Sequence, residues 1–205
     1  VTAYRMGIEP FFFKQMQNEN AKITYAKVTE YFTFFASIVA MGIIANISWL
    51  KTLFIPNKSY WTAIDIIPII VIANLCFGIY YNLSTWYKVT DRTKIGTVIS
   101  WMGALITIVL NLVLLKKFGF MVSAWTTLAA YFTMMVLSYF LGQKYYPIPY
   151  RIKNISLCLI LLMVFSYISY ELFNANFWIG NLLFLIFTGI IIYSERRFVL
   201  SKLKR

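Results

Sequence analysis

The residues able to do chemistry are few, and most stand among apolar neighbours. Asp65 is the one acidic residue well placed in a long apolar stretch, about one turn inside it, with Pro68 following. A charged side chain at the centre of a bilayer costs about 2.5–3.5 kcal/mol on insertion scales, so acids in such stretches are functional candidates. Asp65 lies near the start of its stretch, and two readings stay open: an interfacial anchor reaching headgroup water, or a group on an ion or substrate path. Arg5 and Glu9 are spaced to meet on one helix face, as a topological anchor with its partner or as a functional pair. Asp91 and Arg92 read as a solvated loop. The chain has no His, and Cys76 and Cys158 each sit inside an apolar run, which predicts buried thiols and no disulfide framework. No nucleophile–base arrangement, metal-ligand cluster or Gly-rich phosphate loop is present. A membrane enzyme acting on charged intermediates gathers acids or His residues at one interface, so no enzymatic activity, metal or cofactor is expected.

The elements that must position these residues are six apolar stretches. Each is about 20 residues long, the length a helix needs to cross the hydrocarbon core. The chain is 60% hydrophobic and 13% charged, against about 25% charged in a soluble domain. The predicted fold class is therefore all-α: a polytopic helical membrane protein with six full spans, preceded by the end of an upstream helix. Barrel strands are excluded because each run is too long and too uniformly apolar. The spans run from about residues 30 to 50, 60 to 87, 95 to 115, 120 to 142, 154 to 172 and 177 to 194. Pro10 predicts a bend, followed by an amphipathic segment from Phe11 to Lys27. Pro68 predicts a kink, because it cannot donate to the Ile64 carbonyl. The start at Val1, without an initiator Met, reads as the carboxyl-terminal part of a longer polypeptide.

The net charge of +12 points to no nucleic acid, because the basic residues sit in loops between apolar spans and form no continuous face. Their distribution orients the chain instead. One set of alternate loops holds Lys14, Lys22, Lys27, Lys88, Arg92, Lys94, Lys144, Arg151, Lys153, Arg196, Arg197, Lys202, Lys204 and Arg205, a total of 14. The other set holds Lys51, Lys58, Lys116 and Lys117, a total of 4. Cytoplasmic loops carry the Lys/Arg excess, so the first set and the carboxyl terminus are expected in the cytoplasm.

Helix association in lipid relies on small residues and interhelical hydrogen bonds. In the third span Gly96, Ser100, Gly103, Ala104, Thr107 and Asn111 share one face, opposite Val98, Met102, Leu105, Val109 and Leu112. The second span carries Asn74, Gly78, Tyr81 and Thr85, and the fourth Ser123, Thr127, Ala130 and Ser138. These stripes either pack helices or line a hydrated cavity. The last two spans are apolar all round and read as a peripheral hairpin. The prolines of Tyr145-Tyr146-Pro147-Ile148-Pro149-Tyr150 set them apart, giving residues 1–146 and 147–205 as the two parts.

Three stretches carry a family resemblance: Tyr4-Arg5-Met6-Gly7-Ile8-Glu9-Pro10-Phe11-Phe12-Phe13; Ala73-Asn74-Leu75-Cys76-Phe77-Gly78-Ile79-Tyr80-Tyr81-Asn82-Leu83-Ser84 with Trp86-Tyr87-Lys88; and Gly142-Gln143-Lys144-Tyr145-Tyr146-Pro147-Ile148-Pro149-Tyr150. Together they resemble the carboxyl-terminal part of Wzx-type polysaccharide (O-antigen) flippases, in the multidrug/oligosaccharidyl-lipid/polysaccharide exporter superfamily. The resemblance implies the second lobe of a 14-helix fold: the end of helix 8, helices 9–12, and a peripheral pair 13–14 with a basic cytoplasmic tail. It also implies movement of undecaprenyl-diphosphate-linked oligosaccharide across the bacterial inner membrane by alternating access. The partners implied are the lipid bilayer, the lipid-linked oligosaccharide and an amino-terminal lobe. Arg5 becomes a candidate for the anionic head group. Asn74, Asn82, Ser100 and Asn111 become candidate cavity-lining hydrogen-bonders.

Two other functions compete. A cation-coupled multidrug efflux antiporter of the same superfamily needs a membrane acid, for which Asp65 is the candidate. A membrane glycosyltransferase or polysaccharide polymerase usually carries a large periplasmic loop, whereas the loops on that side here are close to ordinary connection lengths.

Overall fold

The structure, a computed structural model, describes residues 2–203, leaving aside the side chains of residues 2, 3, 5 and 197–203. It is all-α, and no strand occurs among the described residues. The helices are α1 (Thr2–Gln15), α2 (Ala21–Ala45), α3 (Ile47–Phe54), α4 (Ile67–Leu83), α5 (Thr85–Val89), α6 (Thr93–Phe118), α7 (Met121–Tyr145), α8 (Ile152–Tyr167) and α9 (Phe177–Leu203). A tight 3-10 segment, Lys58–Ile66, leads into α4, and a π-helical turn, Ile168–Leu172, ends α8. Six helical stretches are long and apolar enough to cross a membrane: Ala21–Ala45, Lys58–Val89, Thr93–Phe118, Met121–Tyr145, Ile152–Leu172 and Phe177–Arg196.

Three boundaries differ from expectation. The segment Phe11–Lys27 is not one element. α1 continues through Pro10, and a turn at residues 16–20 separates it from α2. Asn18 organises that turn, its N–H donating to the Gln15 carbonyl and its own carbonyl accepting from Ala21. The first span therefore begins at Ala21, nine residues early, and Glu30 lies well inside it. Asp65 is thus not the only acid within a span, and it is exposed in the 3-10 segment. Pro68 sits where the 3-10 segment gives way to α4. It stands in the first turn of α4, where the missing N–H removes no intrahelical bond.

The chain divides into two compact units. One comprises Val1–Phe32 with Asp65–Arg151, the other Thr33–Ile64 with Ile152–Arg205. In the first unit α7 packs along both α4 and α6. Small residues set the distances: a Cβ on Gly103 would collide with the Met134 sulfur, and one on Gly78 would meet the Phe32 ring at 2.5 Å. On α6, Gly96 and Gly103 are buried while Val98, Met102, Leu105, Val109 and Leu112 are exposed. The buried stripe is narrower than its sequence pattern, because Ser100 and Ala104 are exposed as well.

In the second unit the later part of α2 meets α9, Gly42 lying against the Phe184 ring. A Cβ on Gly180 would lie 2.8 Å from the Ala45 carbonyl oxygen, so the α2 and α9 backbones approach closely. Asn46, at the break between α2 and α3, exchanges amide hydrogen bonds with Asn181 at 3.2 Å. Both cysteines are buried and free.

Candidate functional site

The second membrane-length stretch is interrupted near its end, and the polar groups of the first unit gather there. The hydroxyls of Ser84 and Thr85 donate to the carbonyls of Tyr81 (2.6 Å) and Asn82 (2.8 Å). A one-residue turn at Ser84 separates α4 from α5, while Ser84 keeps helical dihedrals (φ -68°, ψ -12°) and its N–H still donates to the Tyr80 carbonyl at 2.8 Å.

Around the break lies a hydroxyl and amide cluster. Tyr80 Oη is 3.1 Å from Tyr87 Oη and 3.3 Å from Ser100 Oγ. Asn82 is buried; its Nδ2 donates to the Gly78 carbonyl at 3.0 Å and its Oδ1 accepts from Tyr4 at 2.7 Å. One turn on, Lys88 Nζ is 2.6 Å from Glu9 Oε1 and rests 5.6 Å from the centre of the Tyr81 ring. The Tyr4 bond and the Glu9 ion pair both tie α1 to this break. Aromatic faces adjoin it: Phe77 stacks on Tyr131 at 4.3 Å and meets Tyr81 edge-on at 4.8 Å.

A second ion pair joins Glu30 of α2 to Arg151, at 3.0 Å. The Glu30 side chain is 3% exposed. A carboxylate so deeply buried requires a cation and hydrogen bonds to hold its charge, and Arg151 supplies the former.

The predicted site residues do not converge. Asn82 and Ser100 belong to the cluster at the break. Asn74 is exposed on α4, its amide donating to the Ile70 carbonyl at 2.9 Å. Asn111 joins α6 to α7, donating to Thr126 Oγ1 and accepting from Ser123 Oγ, both at 2.9 Å, as the packing reading of its stripe expected. Asp65 lies in the exposed 3-10 segment, and the Arg5 side chain lies outside the described residues. Sequence reasoning missed Glu30, Arg151 and the Glu9–Lys88 pair. The turn-forming Asn18 and Asn20 were the available signal for Glu30, since they place the start of α2 upstream of it.

Chemically, the cluster offers hydroxyl and amide groups, one ion pair and aromatic faces. Among the described residues no group of three or more His, Cys, Asp or Glu side chains could hold a metal ion. Comparison of the chain with family models, with curated proteins and with solved structures yields no match.

Proposed function

We propose that the chain is part of a membrane transporter, a flippase of the Wzx type, moving lipid-linked oligosaccharide across the bacterial inner membrane for surface polysaccharide assembly. The observation that carries the reading is the polar and aromatic cluster on the last turns of the second span. Polar and ionisable groups within transmembrane segments mark substrate paths, and here hydroxyls, an amide, an ion pair and tyrosine rings gather around Ser84. Aromatic faces and hydroxyls suit a sugar, whose rings present both apolar and hydrogen-bonding surface. The lipid tail can stay in the bilayer while the polar head passes. The excess of basic residues at alternate span ends favours a cytoplasmic carboxyl terminus. In this reading the six spans form the second of two lobes.

The test is complementation of a flippase-null strain by the full-length gene. Surface glycan is expected to return. Correct insertion without surface glycan overturns the assignment.

A further inference from the structure

We propose that Arg92 and Lys144, gathered on the ring of Tyr145, bind the phosphate of an anionic phospholipid headgroup. The Arg92 guanidinium lies 4.5 Å from the centre of the Tyr145 ring, and Lys144 Nζ lies 5.6 Å from the same centre. Two like charges held at one ring repel each other, and an anion drawn to both offsets that repulsion. Lys22, 4.4 Å from the ring of the adjacent Tyr146, adds a third cation. Lys88 and Arg151 of the same unit have carboxylate partners; Arg92, Lys144 and Lys22 have none among the described residues. Asp91, next to Arg92 in sequence, is exposed and makes no ion pair there.

The site is built rather than a scatter of surface lysines. Tyr145 stacks on Trp86 at 5.8 Å. Trp86 is buried and donates to the Ser138 carbonyl at 3.0 Å, so the ring that carries both cations is anchored in the core. Arg92 makes no ion pair among the described residues, so its guanidinium N–H groups are available to phosphate oxygens. The depth selects the source of the phosphate. Tyr145 ends one membrane-length helix and Arg92 immediately precedes another, which places both at the level of lipid headgroups. Tyr145 is 40% exposed, so the ring and its cations are accessible to a ligand. The inference does not depend on the transport reading.

The experiment is native mass spectrometry of the full-length protein titrated with phosphatidylglycerol and with phosphatidylcholine. Phosphatidylglycerol is expected to bind preferentially. The variant R92Q/K144Q should lose about 30-fold in that binding, each basic residue contributing about fivefold at a membrane surface. K116Q/K117Q removes the same charge from the other end of α6 and should bind as the parent does. Arg92→Lys keeps the charge but not the guanidinium donors and should bind more tightly than Arg92→Gln and less tightly than the parent, which separates loss of the site from loss of the fold. Equal weakening in both double variants, or no preference over phosphatidylcholine, overturns the proposal. If millimolar inorganic phosphate displaces phosphatidylglycerol at matched phosphate concentration, the site takes free phosphate and the lipid assignment fails.

Discussion

Tyr150 carries a buried hydroxyl with no hydrogen-bond partner in the described structure. Burial pushes its pKa above the ordinary tyrosine value, and the nearby Tyr139 and Tyr146 add to the shift. An unsatisfied buried hydroxyl pays its desolvation cost with no bond in return. Tyr150→Phe is therefore expected to stabilise the protein by about 1 kcal/mol, read from thermal unfolding in detergent; a destabilised variant would show that the hydroxyl has a partner. The pH dependence has a fixed sign. Below pH ~10 the phenol is neutral in both folded and unfolded chains and contributes no slope. Above it the unfolded chain ionises first, so stability falls with rising pH, and Tyr150→Phe should shrink that fall. Asn82 and Asn111 teach a related lesson. The sequence shows that each is polar, yet whether its amide is free for a ligand depends on Tyr4, Thr126 and Ser123. No spacing rule joins Tyr4 to Asn82, or Glu30 to Arg151, across such separations in the chain.

The helices test the packing directly through their glycines. Gly180→Ala sets a Cβ against the Ala45 backbone oxygen, which cannot move aside without shifting α2. It should destabilise by about 1–3 kcal/mol. Gly103→Ala meets the flexible thioether of Met134 and should cost less, because that side chain can turn away. Gly7→Ala has open space within 4 Å and should gain about 1 kcal/mol from helix propensity. Urea or SDS unfolding of the three variants gives the order, and a Gly180→Ala protein as stable as Gly103→Ala would contradict the close α2–α9 approach. At this scale the sequence was legible where the helix ladder is uninterrupted: α6 and α7 begin and end within about three residues of the apolar runs that announced them. It was not legible where backbone pitch changes under constant hydropathy. Lys58–Ile66 is apolar enough to join the second span yet winds as a 3-10 helix. The start of α2 was misplaced for the converse reason: Ala21–Thr29 is polar enough to look like a loop, while its turns are already helical.

For the molecule as a whole, apolar length and charge placement are the two strongest facts, and both are properties of the sequence. Six helices have the length and composition to cross a bilayer, and 14 of the Lys and Arg residues fall at one set of alternate ends against 4 at the other. Cysteine accessibility in intact cells measures the consequence directly, in a background where Cys76 and Cys158 are replaced by Ala. Single cysteines at Asn57, Lys117 and Asn176 should react with a membrane-impermeant maleimide added outside. Those at Asn18, Asp91 and Lys144 should react only after the membrane is opened. Reaction of both sets from the same side, or a break in their alternation along the chain, would contradict the six-crossing arrangement.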